Sequence, residues 1–392
     1  MSTVENDSNP VLLSAKYILE NTEHVRISPE GIDTVADELL GLVKEQKYSP
    51  HTWKTHPLHF IPPTPFDLSH PRTKQCVDWI FLVSALNFSF WSELQGEPTR
   101  YGVMWKESWE DTSGKVKKWE GYWSLLASIN KALESGIPIT DPSFYASEIA
   151  CPDSIIESIF EPADGCIETI PLLKERIRIL REVGRTLVEK VPGHSFMGLL
   201  EEAASQPSGQ NRTLRLLNDI LDYFPSFRDE SIYKGRKVVF WKRAQILIAE
   251  IWAAFYPLDS SEMHPLVPDS VDCLTMFADY RVPQMLQHLG TTIYSDNVIE
   301  TLKGGKYLEY GSDMECSIRT SSIIAVQQLR EKMVWKQEQL YHAGSTEQTF
   351  PINSVLIDFL LWDLAKLVES GQHSTGRVSI PLPCHRTRST YY

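Results

Sequence analysis

Apolar residues recur at intervals of three and four along most of this chain, which is the spacing of helices that bury one face. Between residues 11 and 45 the pattern restarts after Ser28, a residue type that caps helix N-termini, so we expect a helix to begin there. The same spacing predicts further helices over residues 76–93, 121–136, 143–149, 172–190, 196–204, 212–222, 241–256, 272–289, 296–303, 316–339 and 354–368.

Strand-like composition is confined to two short runs, RYGVMW at 100–105 and KVKKWEGYW at 115–123, which bracket the turn-forming residues DTSG. Together they predict one β-hairpin. Residues 49–75 are rich in Pro, His and Thr, a composition typical of an irregular loop. We expect surface loops at residues 105–115, 205–211 and 258–270.

These patterns predict a mainly α-helical protein with a small β-hairpin. Residues 1–10 are polar and acidic, and we expect them to be disordered. Because composition shifts nowhere sharply, residues 11–392 are predicted to form a single helical domain. A division into two domains near residues 205–212 is the alternative.

The net charge limits the kinds of binding partner to expect, and the cysteine pattern limits the compartment. The 392 residues carry a net charge of −13, which disfavours a nucleic-acid polymer as a partner. The six cysteines include no C-x-x-C pair, a usage that fits a reducing compartment. Because residues 1–10 are acidic and polar, we do not expect them to act as a signal peptide, and the most apolar stretch, residues 77–91, is too short to span a bilayer. We expect a soluble cytoplasmic protein without a membrane partner, leaving the nucleus open as a second compartment.

An acidic residue interrupts the apolar pattern of LTMFADYRVPQMLQHLG at 274–290. Helical spacing places Asp279 on an apolar face, and Pro283 predicts a kink just after it. We expect one helix to end near Asp279 and a second to run from Pro283 to Gly290. A carboxylate at a helix C-terminus opposes the helix dipole and is costly to bury, so we expect this placement to cost stability.

A second unusual acid lies in NSVLIDFLLWDLAKLV at 353–368, the pattern of a helix buried on every side. Asp358 has no cation at helical spacing, whereas Asp363 has Lys366 three residues later. An unpaired buried aspartate has a raised pKa, and such groups concentrate at functional sites. The alternative is that Asp358 pairs with an arginine elsewhere in the fold.

A dense group of cations lies within FRDESIYKGRKVVFWKRAQ at 227–245. In an acidic protein, Lys and Arg beside aromatic residues suit a phosphate group, and Lys242 and Arg243 open an apolar helix whose N-terminus also favours anions. Arg281 and Arg386 are weaker candidates. By composition alone, a solvated charge run is the favoured alternative. The cations of this segment are Arg228, Lys234, Arg236, Lys237, Lys242 and Arg243.

Motifs for ATP binding, dinucleotide binding, zinc hydrolysis and serine hydrolysis are missing from the sequence. No cluster has the spacing of metal ligands, so we expect neither a metal nor another cofactor. The residues alone therefore predict acid–base or electrostatic chemistry on a phosphorylated, planar ligand.

In six ordered blocks the chain resembles the queuosine salvage proteins, a family of queuosine 5′-phosphate N-glycosylases. The resemblance runs from about residue 10 to the C-terminus. Its blocks are SAKYILENTEHVRI at 14–27, LNFSFW at 86–91, GYWSLLASINKALESGIPIT at 121–140, FWKRAQIL at 240–247, MFADYRVPQMLQHLG at 276–290 and HRTRSTYY at 385–392.

The resemblance implies a fold similar to helix-hairpin-helix DNA glycosylases and a free nucleotide as substrate. The implied reaction is hydrolysis of the N-glycosidic bond of queuosine 5′-monophosphate, which releases queuine and ribose 5-phosphate. A nucleotide-binding helical scaffold and a nucleotide phosphohydrolase are the alternatives.

The resemblance also implies roles for individual residues. Phe277 and Asp279 look like contacts to the base, and Asp358 like the nucleophile or the stabiliser of the transition state. Phe359 and Asp363 belong to the same segment, DFLLWD, and the resemblance implies that they bind the substrate. A loop histidine of the family falls in THPLHF, where His59 fits better than His56.

Overall fold

A computed structural model of the chain describes residues 9–205, 211–257, 267–268, 270–342, 350–372 and 381–392. Within these ranges the protein is mainly helical, as predicted, with three two-stranded antiparallel sheets. The helices are α1 (Pro10–Asn21), α2 (Pro29–Gln46), α3 (Pro71–Ala85), α4 (Tyr122–Glu134), α5 (Pro142–Ala146), α6 (Asp153–Ile159), α7 (Leu173–Lys190), α8 (Phe196–Ala204), α9 (Arg212–Tyr223), α10 (Lys242–Ala254), α11 (Arg281–Leu289), α12 (Asp296–Lys303), α13 (Asp313–His342) and α14 (Ser354–Glu369).

Each sheet consists of one pair of short strands. The pair predicted from sequence forms as expected, with Val103 opposite Trp119. A second hairpin lies in the cation-rich segment 227–245, and the third pair joins distant parts of the chain. The strands are β1 (Val25–Ile27) with β6 (Thr292–Tyr294), β2 (Gly102–Trp105) with β3 (Lys117–Glu120), and β4 (Glu230–Tyr233) with β5 (Arg236–Val239).

The N-terminal region agrees with the sequence in one cap and differs in its boundary. The Ser28 hydroxyl accepts a hydrogen bond from the backbone N–H of Gly31 at 3.0 Å, which confirms the predicted start of α2. Disorder was predicted for residues 1–10, of which 1–8 lie outside the described residues. Asn9 is buried, caps α1 and donates to the Cys273 carbonyl at 2.6 Å, so that boundary is wrong by two residues.

The predicted helix over residues 272–289 is the main error. Residues 272–280 are not helical, and α11 begins only at Arg281. Asp279 therefore precedes a helix instead of ending one. Its Oδ1 accepts from the backbone N–H groups of Arg281 at 2.8 Å and Val282 at 2.9 Å, where the helix dipole favours a carboxylate. Pro283 lies in the first turn of α11, where its missing N–H leaves no hydrogen bond unmade.

The helix predicted over 76–93 ends at Ala85, and the irregular segment after it is buried against the C-terminal residues. The indole N–H of Trp91 donates to the Thr387 carbonyl at 2.8 Å, and the Ser89 hydroxyl donates to the Ser389 carbonyl at 2.9 Å. Pairing with this distant segment replaces the helical hydrogen bonds. The loop predicted over 49–75 contains a 3₁₀ helix, Pro50–Thr55, and the start of α3.

Two large hydrophobic clusters form the interior. The first is built mainly from α3, α4 and α7 to α10, and the second from α1, α2, α11, α13 and α14. Trp241 and Phe359 pack against both clusters. Helices α8 and α9, which flank the alternative domain boundary near 205–212, pack together in the first cluster. Among the described helices, none has both the length and the apolar character that crossing a bilayer requires.

Candidate active site

A cavity of about 280 Å³ is lined by residues of both clusters. Its walls come from distant parts of the chain: the 3₁₀ helix and the loop after it, the segment following α3, the start of α4, one face of α10, the segment before α11, and α14. This convergence brings most of the residues singled out from the sequence to one place.

Asp358 of α14 lines the cavity and is only 5% exposed. Its Oδ1 accepts a hydrogen bond from the backbone N–H of Phe277 at 3.0 Å, and no arginine among the described residues forms an ion pair with it. Burial raises the pKa of Asp358 well above its usual range, and the nearby Asp279 raises it further. The Phe277 N–H and Lys242 act in the opposite direction. Asp358 is therefore an unpaired carboxyl facing a cavity.

Asp279 lines the same cavity and is 8% exposed. Burial raises its pKa, while Lys242 and the two backbone N–H donors of α11 lower it. The like charges of Asp279 and Asp358 interact strongly enough that ionisation of one opposes ionisation of the other. We call these two residues the acid pair.

Lys242 is the first residue of α10 and lies beside the acid pair. Its Nζ donates to the backbone and side-chain oxygens of Asn87, both at 3.2 Å. Burial lowers the pKa of Lys242 to about 8, although Asp279 acts to raise it, so the ammonium form still dominates at pH 7. The backbone N–H of Lys242 donates to Asp229, which is itself held by Arg319, and these contacts fix the start of α10.

Arg243 does not line the cavity. Its guanidinium is buried and donates to the backbone carbonyls of Ala85 and Ser226. The position of Arg243 thus does not support the predicted contact with the substrate. Its hydrogen bonds instead connect α10 to the end of α3 and to the segment after α9. The other cations of segment 227–245, four in number, are exposed and lie outside the cavity: Arg228, Lys234, Arg236 and Lys237.

Three further cations line the cavity: Arg100, Arg281 and Lys366, which we call the rim cations. Arg281 and Lys366 each form an ion pair with Glu369, both at 2.8 Å. Lys366 therefore pairs with Glu369 and not with Asp363, the partner suggested by sequence spacing. Arg100 donates to the Phe90 carbonyl at 3.0 Å. Nothing in the sequence spacing singled out Arg100 or Lys366 as site residues.

Aromatic rings form much of the cavity wall. The rings of Phe277 and Phe359 lie 6.0 Å apart at 52°. Trp123 and Trp362 meet edge to face at 5.2 Å. The Tyr48 hydroxyl donates a hydrogen bond to the Asp363 carboxylate at 2.7 Å, and burial raises the pKa of Asp363.

His56 and His59 both line the cavity and stack on tryptophans. The His56 ring lies 3.7 Å from Trp123, and the His59 ring 4.1 Å from Trp53. Burial lowers the pKa of His56 to about 2 and that of His59 to about 4, so both are neutral at pH 7. His59 Nδ1 donates to the Trp53 carbonyl at 2.6 Å, which leaves Nε2 as the acceptor nitrogen.

Glu250 is a cavity residue that the sequence reasoning missed. It lies on α10 eight residues after Lys242, with Ile246 between them on the same face. Its Oε1 accepts from the Tyr122 hydroxyl at 3.3 Å, and its Oε2 has no hydrogen-bond partner among the described residues. Burial raises the pKa of Glu250 to about 7. The available signal was an acid within a helix that is apolar all round, KRAQILIAEIWAA.

A family model described as "Queuosine salvage protein" matches residues 69–392. The chain belongs to this family. A Schizosaccharomyces pombe relative is 40% identical over 97% of this chain and 99% of its own length. Relatives from Bos taurus and Sphaerobacter thermophilus are 35% and 32% identical, each covering 97% of both chains. All three relatives carry the name queuosine 5′-phosphate N-glycosylase/hydrolase.

The acid pair of this queuosine salvage family member lies in the part of the chain that the family model matches. His56 and His59 precede that part, yet they line the same cavity. In the described ranges, no group of three or more His, Cys, Asp or Glu residues is arranged to hold a metal ion.

Proposed function

We propose that this protein hydrolyses the N-glycosidic bond of queuosine 5′-monophosphate and releases queuine and ribose 5-phosphate. The observation that carries the proposal is the buried Asp358, without an ion-pair partner, beside Asp279 in a cavity lined by aromatic rings. Full-length similarity to relatives named for this substrate and reaction supports it. The protein is accordingly an N-glycosyl hydrolase.

The reaction breaks the bond between C1′ of the ribose and the base nitrogen. The bonding electron pair leaves with the base, which takes up a proton, and a water molecule supplies the hydroxyl that joins C1′. Positive charge develops on C1′ and the ring oxygen, as in other glycoside cleavages. The Asp358 carboxylate stabilises this charge, either as a nucleophile or electrostatically, and its dry surroundings strengthen the interaction.

The surroundings of Asp358 set how readily it ionises. Burial and Asp279 favour the neutral acid, while the Phe277 N–H and Lys242 favour the carboxylate. Lys242 also acts on Asp279, so one ammonium group balances both members of the acid pair. We propose that Lys242 keeps the pair partly ionised at neutral pH and so supports the reaction.

The base is held between aromatic and acidic groups. Phe277 and Phe359 supply flat apolar surface, and Asp279 accepts hydrogen bonds from the donor edge of the guanine-like ring. Asp363 and the Nε2 acceptor of His59 add polar contacts from the same cavity. Phe359 offers no hydroxyl, so its contribution is stacking alone.

The 5′-phosphate is bound by cations of the cavity. From the cation-rich segment only Lys242 remains a candidate, because the others lie outside the lining. The rim cations, Arg100, Arg281 and Lys366, provide the stronger concentration of positive charge, which Glu369 only partly neutralises. Charge-assisted hydrogen bonds from arginine suit a phosphate.

The fold, the compartment and the cofactor requirement can be proposed from the same function. We propose that the helical fold is similar to that of helix-hairpin-helix DNA glycosylases, with a free nucleotide in place of a nucleic-acid polymer. We propose that the released queuine serves tRNA modification and that the protein acts in the cytoplasm, with the nucleus as a second compartment. No cofactor or membrane partner is needed for the hydrolysis described above.

The direct test is to incubate the purified protein with queuosine 5′-monophosphate and measure free queuine. Release of queuine by the wild type, but not by Asp358→Asn, supports the proposal. Guanosine 5′-monophosphate serves as the control substrate. Release of inorganic phosphate with the glycosidic bond intact would favour the phosphohydrolase alternative, and binding without either product would favour the scaffold.

A further inference from the structure

We propose that Glu250 and Tyr122 form a subsite for the protonated amine on the side chain of the queuosine base. The inference rests on the proposed function and extends it to a residue that selects the substrate. It assigns a role to the one cavity carboxyl that the mechanism above does not use.

Glu250 is a buried cavity residue with one carboxylate oxygen that accepts no hydrogen bond from the described residues. The residue is 7% exposed and lines the cavity. Tyr122 orients the carboxyl by donating to Oε1 at 3.3 Å, while Oε2 has no partner among the described residues. A buried oxygen left without a partner is destabilising, so a bound donor would satisfy it.

No neighbouring cation neutralises Glu250 within the described part of the chain. Lys242 acts to lower the pKa of Glu250, but its ammonium donates hydrogen bonds to Asn87 and also interacts with the charges of the acid pair. A cationic ligand group would therefore gain a charge-assisted hydrogen bond that no side chain supplies. Rings of Tyr122 and Trp123, which pack 5.0 Å apart in the cavity wall, add favourable surface for an ammonium group.

Position along α10 separates Glu250 from the bond-breaking groups. Lys242, beside the acid pair, and Glu250 are eight residues apart, which corresponds to roughly 12 Å along a helix axis. The cavity thus extends from the bond-breaking groups towards Glu250. Queuosine differs from a guanine nucleotide by an aminomethyl group on the five-membered ring of the base, carrying a cyclopentenediol. Its secondary amine is protonated near neutral pH and projects away from the ribose.

Binding of three free bases separates the amine from the other groups that a carboxylate could contact. Queuine carries both amine and diol, 7-aminomethyl-7-deazaguanine carries the amine alone, and 7-deazaguanine carries neither. Calorimetry would compare them on the wild type, on Glu250→Gln, and on Glu201→Gln as a matched change at an exposed position. Thermal melting confirms that each variant is folded.

We expect the wild type and Glu201→Gln to bind both amine-bearing bases at least ~10-fold more tightly than 7-deazaguanine, as a charge-assisted contact requires. Glu250→Gln should lose most of that preference. If the variant weakens queuine but not the aminomethyl base, Glu250 reads the diol and the inference is wrong. Equal weakening of all three bases would assign Glu250 to the guanine edge and also overturn it. Binding of a free base needs no hydrolysis. If the protein selects amine-bearing bases but releases no queuine from the nucleotide, the proposed function is contradicted and the amine subsite is not.

Discussion

At the scale of single residues, the acid pair destabilises the folded protein at neutral pH. Burial raises the pKa of Asp358 and Asp279 in the folded state above the ~3.9 of an unfolded aspartate. The folded state favours the protonated form of such a carboxyl. Its contribution to stability is therefore fully present below the unfolded pKa and is lost as pH rises through the folded pKa. At pH 7 the pair therefore opposes folding.

This sign gives a stability prediction for Asp358→Asn. The substitution removes a buried charge while keeping the size of the side chain, so the variant should be more stable than wild type at pH 7. The free energy of unfolding should increase at pH 7, because the amide, unlike the carboxyl, has no charged form to bury. Near pH 4 the gain should largely disappear. Urea unfolding at both pH values measures it, and a variant less stable at pH 7 would contradict the prediction.

The same substitution should damage catalysis. Removing one electrostatic stabiliser of the transition state lowers turnover by ~10²-fold or more. We expect Asp358→Asn to bind queuine and to release it from the nucleotide at least that much more slowly. Asp164→Asn, at an exposed position, is the control and should keep wild-type turnover. Near-normal turnover in Asp358→Asn would remove this residue from the mechanism.

Coupling within the acid pair predicts a pH effect. Asp279 raises the pKa of Asp358, so Asp279→Asn should lower that pKa and extend activity to more acidic pH. If ionised Asp358 is the active form, the acidic limb of the kcat profile should move to lower pH. An unmoved limb would show that the charge on Asp279 does not control Asp358.

Sequence alone identified Asp358 because an acid in an all-apolar helix has no local cation. It missed Glu250, although α10 is also buried throughout. The difference is that helical spacing tells which residues share a face, not whether that face borders a cavity. Arg243 shows the reverse error: a cation next to Lys242 in the chain points away from the site and bonds backbone carbonyls.

At the scale of elements, α11 shows how a cap can be mistaken for the end of a helix. Apolar spacing over residues 272–280 suggested a helix, but this segment follows the cavity wall and bonds outside itself, as at Phe277 with Asp358. An aspartate shortly before a proline is equally compatible with a helix start, and the structure has that arrangement. The well-predicted elements are those whose hydrogen bonds are local, such as α7, α9 and the β2–β3 hairpin.

The cap at α11 can be separated from base recognition by two substitutions at Asp279. Asn keeps an oxygen that can accept from Arg281 and Val282, whereas Ala removes it. We expect Asp279→Ala to be less stable than Asp279→Asn by ~1 kcal/mol, the usual value of such a cap. Queuine binding to Asp279→Ala should weaken by ~1–3 kcal/mol through the lost acceptor. Melting curves and calorimetry test the two effects, and wild-type affinity for queuine in the Ala variant would disprove the base contact.

At the scale of the whole molecule, composition and fold class were predictable but the location of charge was not. The net charge of the sequence is −13, yet four cations line one cavity of the described structure: Arg100, Lys242, Arg281 and Lys366. These cations come from separate parts of the chain, so no local run of basic residues in the sequence predicts their cluster. In the densest run, residues 227–245, four of the six cations are exposed, as the alternative interpretation of a solvated charge run expected, whereas Lys242 and Arg243 are buried.

Their arrangement predicts which cations make the protein prefer a nucleotide to a nucleoside. A charge-assisted contact contributes about 1.5–3 kcal/mol, so queuosine 5′-monophosphate should be cleaved with a kcat/KM at least tenfold above that of queuosine. Arg281→Gln and Lys366→Gln should each reduce this ratio, because each removes positive charge from the rim. Arg236→Gln, from the exposed hairpin, is the matched control and should leave the ratio unchanged.

Lys242→Ala distinguishes the two remaining roles of that lysine. If Lys242 binds phosphate, the variant should lose activity on the nucleotide more than on the nucleoside. If it balances the acid pair, both substrates should suffer equally, because Asp358 and Asp279 serve the base and C1′ and do not depend on the phosphate. We expect the second result, since the Lys242 ammonium is held by Asn87 beside the pair, while Arg281 and Lys366 are held at Glu369. Equal rates on nucleotide and nucleoside in the wild type would instead show that phosphate is not recognised at all, and Arg281 and Lys366 would then serve only to bind Glu369.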